Sequence, residues 1–186
     1  LDTSSVYADP KLVQNPVESA KKLAEMVDTI DYGRTLKRLQ SNRRFVWIKR
    51  HLTPDQVYEI NRLGLPGIYF VEEEKRFYPN GPVTGHVVGY TNIDNIGQMG
   101  IEKSFNDLLG EKQKDLTLSL DMRVQNIVHR ELSRVMKQFK AKGAAGIVMD
   151  VNSGELLSLV SLPDFDPHRV GRSPTHHQLN RASMGV

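Results

Sequence analysis

Apolar and polar residues alternate along Leu116-Thr117-Leu118-Ser119-Leu120, the period-two pattern of a half-buried strand. The period then changes. Asp121 is placed to cap a helix, and Val124, Ile127, Val128, Leu132, Val135, Met136 and Phe139 recur at helical spacing to about Lys140. Lys140, Lys142 and Gly143 give the basic, glycine-ended terminus that such a helix favours. Two near-continuous apolar runs follow, 145–151 and 155–161, joined by an Asn152-Ser153-Gly154 turn. Apolar side chains at successive positions imply burial on both faces, so this sheet is expected to be covered on each side. The order strand–helix–strand–strand predicts an α+β arrangement rather than a doubly wound one.

The first half reads as shorter elements. Ser5-Val6-Tyr7-Ala8 predicts a strand that Asp9-Pro10 ends. Asn15-Pro16-Val17-Glu18 opens a helix to about Val27, with Asn15 as cap and Pro16 at the first helical position. A second helical stretch, Gly33 to Leu39, follows Asp31, and Phe45 to Lys49 reads as a strand. Thr53-Pro54-Asp55-Gln56 repeats the cap logic and predicts a helix to about Leu63, ended by Gly64. Strands are expected at Ile68 to Phe70 and at Lys75 to Tyr78, around the acidic run Glu72-Glu73-Glu74, and a turn at Pro79 to Pro82. His86 to Tyr90 suits a short strand or a helical turn equally, Asn92 to Gly100 reads as loop, and Ile101 to Leu109 as a helix stopped by Gly110. The charged link Glu111-Lys112-Gln113-Lys114 is the expected domain boundary, giving domains 1–112 and 113–186.

Composition narrows the function classes. Of 186 residues, 39% are hydrophobic and 25% charged, which excludes a disordered chain. Lys+Arg 25 against Asp+Glu 22 leaves a net charge of only +3 with the signs interspersed, which is no nucleic-acid footprint. The absence of cysteine excludes disulfides and thiolate metal sites and suits an oxidising compartment such as the periplasm. No apolar stretch reaches the roughly 20 residues that span a bilayer, and no signal-peptide pattern opens the chain. The coil-like start at Leu1 leads us to expect further residues upstream.

Several segments, in order, resemble one family. Arg43 to Arg50, Leu63-Gly64-Leu65-Pro66-Gly67-Ile68, Arg76-Phe77-Tyr78-Pro79, His86 to Thr91 and Gly100 to Phe105 look like the N-terminal non-catalytic module of class B penicillin-binding proteins. Leu116 to Gln125, the Asn152-Ser153-Gly154 hairpin, Leu162-Pro163-Asp164-Phe165-Asp166-Pro167 and Leu179 to Val186 resemble the opening of their transpeptidase domain. The Phe45-Val46-Trp47-Ile48-Lys49-Arg50 run is most similar to the septal, division-specific branch, with the elongation-specific branch as the alternative.

The resemblance implies an α+β fold: a mixed pedestal (dimerisation-type) module, then the first strand, helix and β-hairpin of a transpeptidase domain. It implies a parent D,D-transpeptidase that cross-links peptidoglycan stem peptides in the periplasm during septum formation. That parent is anchored in the inner membrane by an N-terminal helix outside this chain. Its active-site serine attacks a D-Ala-D-Ala bond, aided by the lysine of a Ser-x-x-Lys motif, and β-lactams trap that serine. In the family that motif follows within a few residues of a segment like Leu179 to Val186, so the nucleophile is expected beyond this chain. The chain itself is then a non-catalytic scaffold. Other division and cell-wall synthesis proteins are its expected partners, with stem peptides and β-lactams reserved for the full-length parent and no nucleic acid. A stand-alone periplasmic binding or assembly module with no catalytic domain is the alternative.

Candidate chemistry inside the chain is sparse. Ser19-Ala20-Lys21-Lys22 matches Ser-x-x-Lys and Ser104-Phe105-Asn106 matches Ser-x-Asn, but no Lys-Thr-Gly completes a set, and both read as chance matches. His176-His177 with His168 lacks a completing ligand spacing and reads as a surface loop, with His51, His86 and His129 structural. Trp47 among Arg43, Arg44, Lys49 and Arg50 suggests a stacking platform for nucleic acid, but no basic stripe extends beyond it. Glu102 and Arg76 are candidates for an ion pair between modules, against two unrelated surface charges. Asn180, Arg181 and Ala182 are expected to shape the approach to the active site, and to be disordered or misplaced without the serine helix. No catalytic, metal-binding or cofactor-binding residue is assigned, and no cofactor is expected.

Overall fold

The computed structural model describes residues 1–110 and 114–184, which form two units, Leu1–Lys75 and Arg76–Val186. The boundary expected at 112/113 lies outside the described residues.

In the first unit, strand β1 (Asp2–Ala8) runs antiparallel between β2 (Val46–Leu52) and β3 (Ile68–Glu74), giving the order β2-β1-β3. Helices α1 (Pro16–Met26), α2 (Tyr32–Leu39) and α3 (Pro54–Arg62) pack on one face of this sheet. Val6, Ala8, Val46, Ile48 and Leu52 from the strands meet Leu23, Leu39 and Ile60 from the helices, and Val27 just after α1, in the core. Each such large side chain contributes about 1.5–3 kcal/mol by leaving water.

The helix starts follow from local chemistry. Asn15 Oδ1 accepts the Glu18 N–H at 3.2 Å, and Asp31 Oδ1 accepts that of Arg34 at 2.7 Å. Thr53 and Gln56 form a reciprocal capping box. Gly67 has φ +81°, and a Cβ there would lie 2.8 Å from the backbone of Leu12 and Val13.

One expectation here is corrected. Strand β3 continues through the acidic run, and Lys75 to Tyr78 is not a strand. The reason is Glu73, which accepts from Ser5 Oγ on β1 and from Arg50 on β2, with Arg50 Nε at 3.1 Å from Oε2. The carboxylate is thereby neutralised inside the ladder instead of breaking it.

In the second unit, a 3-10 turn (Gly81–Thr84) leads into α4 (Gly85–Val88), β4 (Tyr90–Thr91) and β5 (Gly97–Met99). His86 to Tyr90 thus divides into a helical turn and a strand, parted by Gly89. Gly89 has φ +78°, and a Cβ there would stand 1.8 Å from the Met99 carbonyl oxygen. The helix expected at 101–109 is two pieces, α5 (Gly100–Ser104) and α6 (Asn106–Gly110), broken at Phe105 where Asn106 Oδ1 turns to accept Gly97 N–H at 2.8 Å.

Helix α7 (Met122–Phe139) lies on a hairpin of β6 (Ala144–Met149) and β7 (Leu156–Leu162). Asp150 Oδ1 accepts the Asn152 and Ser153 N–H groups and shapes the hairpin turn. The segment Leu116 to Leu120 is not a strand. It is tied to β7 by Asp121 N–H to Leu157 O at 3.0 Å and by Ser119 Oγ to Leu156 O at 2.8 Å, not by a ladder. The apolar set of α7 also divides. Val128 and Leu132 press against Gly146 of β6, while Ile127, Val135 and Phe139 are exposed. On β6, Ile147 and Met149 are 51% and 53% exposed, so the side away from α7 is uncovered in this chain.

Candidate functional site

The hub of the second unit is Gln125, fully buried in the first turn of α7. Its Nε2 donates to Val83 O and Leu159 O, both at 2.8 Å. Its Oε1 accepts from Ser158 Oγ and Leu159 N–H, both at 2.9 Å. Every donor and acceptor position of the amide is thus engaged. One side chain joins α7, β7 and the 3-10 turn. Sequence reasoning passed over it, although its spacing to Val128 and Leu132 marks it as polar on the inward stripe.

The loop after β7 is stitched back by histidines. His86 Nε2–H donates to His177 O at 2.8 Å, and its ring stands edge-on to buried Phe165 at 5.1 Å. Burial holds the His86 imidazole below its ordinary pKa. The hydrogen bond to His177 and the charge of Asp164 oppose that shift, and the charges of Arg181 and His177 add to it. His177 Nδ1 lies 3.1 Å from Asp164 O, and His129 Nε2 lies 2.7 Å from Asp164 Oδ2. His168 Nε2 accepts Tyr78 N–H at 3.0 Å while its Nδ1 faces Asp166 at 3.1 Å. Among the described residues no group of three or more His, Cys, Asp or Glu could hold a metal.

Asn180, Arg181 and Ala182, expected to be disordered or misplaced, are hydrogen-bonded within their own turn and to β7. Ser161 Oγ donates to Leu179 O at 3.3 Å and accepts Arg181 N–H at 2.9 Å. Asn180 is buried, and its Oδ1 accepts Ala182 N–H while its carbonyl accepts Met184 N–H. The β7 strand itself supplies these anchors through Ser161. Beside it is a cleft of about 450 Å³ lined by Lys142, Gly143, Ala144, Ala145, Leu179 and Arg181. The charged side chains of that lining are the cations Lys142 and Arg181.

The remaining candidates are scattered. Ser19 is buried within α1, and Lys22 reaches Glu18 at 2.6 Å. Asn106 of the Ser-x-Asn match serves the β5 backbone. Arg76 and Glu102 do pair, with Nε 3.4 Å from Oε1 in ion-pair rather than hydrogen-bond geometry, and Arg76 Nη2 donates to Leu109 O at 2.8 Å. Both residues belong to the second unit, so the pair is internal to it. Trp47 lies on the helix-free face of β2 with Phe45, joined by Tyr7 and Tyr69, which the sequence reading left aside. No described helix is long and apolar enough to cross a membrane.

Residues 2–138 match the penicillin-binding protein dimerisation domain family. The probable peptidoglycan D,D-transpeptidase PenA of Neisseria gonorrhoeae is 35% identical, over 97% of this chain and 36% of its own length. The peptidoglycan D,D-transpeptidase FtsI of Escherichia coli K12 is 33% identical, over 98% of this chain and 36% of its own length. The probable peptidoglycan D,D-transpeptidase FtsI of Caulobacter vibrioides is also 33% identical, over 98% of this chain and 31% of its length. The chain therefore spans about a third of the curated relatives it matches. Among solved structures, a peptidoglycan synthetase from Bifidobacterium adolescentis shares the fold with a TM-score of 0.56 at 19% identity, covering 98% of this chain and 42% of that one.

Proposed function

The chain belongs to the penicillin-binding protein dimerisation domain family, and from that premise we propose that it is the non-catalytic scaffold and partner-contact part of a peptidoglycan D,D-transpeptidase. The match of residues 2–138 carries this reading, because it covers most of the chain and the relatives it brings are transpeptidases about three times as long. Residues 1–112 form the pedestal and 113–186 open the transpeptidase domain. The parent acts in the periplasm on cell-wall stem peptides during septum formation, held to the inner membrane by a helix outside this chain, and its serine is the β-lactam target.

The geometry supports the scaffold role. The buried serine of α1 and its paired lysine make no nucleophile, since activation needs a base or ammonium turned toward an accessible hydroxyl. The uncovered apolar side of β6 and the exposed stripe of α7 suit a domain with more structure to add. They count against a self-sufficient binding module, which would leave these faces wet. The coding sequence after Val186 tests the reading. A Ser-x-x-Lys within about ten residues is expected. A stop codon there would overturn the transpeptidase parent.

A further inference from the structure

The helix-free face of the first unit's sheet carries a continuous aromatic patch. Register places Tyr7 opposite Trp47 on one side and opposite Tyr69 on the other. Phe45, just before β2, stacks on Tyr7 with ring centroids 4.7 Å apart and planes 27° apart. Tyr69 lies 5.5 Å from Tyr7, and Trp47 stands edge-on to Phe45 at 4.9 Å. The core of this unit is on the opposite face, with α1, α2 and α3. Phe45 and Tyr69 remain 47% and 41% exposed. Single exposed apolar residues are ordinary on a protein surface, whereas a contiguous patch marks an interaction site.

The arrangement says what kind of partner fits. The Arg50 guanidinium sits 4.9 Å over the Trp47 ring and is held by Glu73, while Tyr7 and Phe45 cover one another. A sugar ring would need an open aromatic face to stack on, and Trp47, Tyr7 and Phe45 each have a face taken. What remains are ring edges and the gaps between them, which suit side chains of a polypeptide. Tyr, Trp, Phe and Arg are the residues that dominate protein–protein interface cores. Arg43 and Arg44 stand exposed beside Phe45, and neither forms an ion pair among the described residues. Of the acids on this unit, Asp9, which follows β1 beside Phe45, accepts the Lys11 N–H, and Glu73 at the far end of the sheet is matched by Arg50.

We propose that this patch docks an acidic polypeptide segment of a partner protein. Its apolar anchors seat against Phe45 and Tyr69, and its carboxylates face Arg43 and Arg44. The inference rests on the scaffold reading above and gives that scaffold a particular contact face.

Trp47 is the single tryptophan, so its emission reports on the patch directly. The whole chain is panned against a displayed library of random peptides, and the enriched peptides are titrated while Trp47 emission is followed. Asp and Glu should exceed Lys and Arg in the enriched sequences, and binding should weaken with added salt. The double variant Arg43→Glu, Arg44→Glu should weaken binding about tenfold or more, as should Tyr69→Ser. Both arginines are exposed, so an unchanged melting temperature shows that the double variant still folds. No enrichment, enrichment of neutral or basic sequences, or undiminished binding by the double variant would overturn the proposal. So would a tetrasaccharide of N-acetylglucosamine that shifts Trp47 emission where no peptide does, since the patch would then be a glycan platform. The full-length gene product carrying the same double variant is labelled with fluorescent penicillin in parallel. Labelling that persists while no acidic peptide binds isolates failure of the docking inference from failure of the transpeptidase reading.

Discussion

Replacing Gln125 by leucine removes four hydrogen bonds in a site closed to water. Buried polar groups left without partners carry their full desolvation cost, and a network loses more than the sum of its pairs. The Gln125→Leu variant should be about 3 kcal/mol less stable in chemical denaturation, by the same reasoning. An unchanged denaturation midpoint would show that the hub is ornamental. His86 makes a separate prediction. Its folded pKa is depressed, chiefly by burial, so the unfolded state takes up the proton more readily. The stability it adds is complete above the ordinary value of 6.5 and is lost as pH falls below it toward the folded value. The denaturation midpoint should decline from neutral pH toward mild acid, and His86→Gln should flatten that decline. Parallel curves for the two proteins would remove His86 from the account.

Helices α1 and α3 were legible at the level of elements because their signals are local. Asn15-Pro16 and Thr53-Pro54-Asp55-Gln56 satisfy orphan N–H groups whatever the rest of the chain does. Thr53→Ala should cost about 1 kcal/mol in stability, measured by thermal melting. Gly89→Ala should do far more harm, since its Cβ would collide with the Met99 carbonyl in a backbone conformation that L-residues avoid. A Gly89→Ala variant that melts like the parent would contradict that geometry. What escaped the sequence depended on partners far along the chain. The acids of β3 sit in a strand because Arg50 and Ser5 meet Glu73 from β2 and β1. The apolar residues of α7 look like one face in sequence, but Gly146 receives only one of its two stripes. The aromatic row needed the register of three strands before Tyr7 and Tyr69 could be set beside Trp47.

On the scale of the whole molecule, the ordered motifs from Arg43 to Val186 pointed to one family, and the match over residues 2–138 shows it. Those motifs were visible because they combine turn chemistry with strand pattern in a fixed order, which chance matches such as Ser19-Ala20-Lys21-Lys22 lack. The candidate site was less legible. Asn180 and Arg181 are placed by Ser161, and no local pattern announces that anchoring. The proposed scaffold and its proposed transpeptidase parent make opposite forecasts for a β-lactam. The decisive measurement is in-gel fluorescence after incubating this chain and the full-length gene product with fluorescent penicillin. The full-length band should take a covalent label and this chain should stay dark. A labelled band for this chain, with the adduct at Ser19, would contradict the account, and so would a full-length product that takes no label.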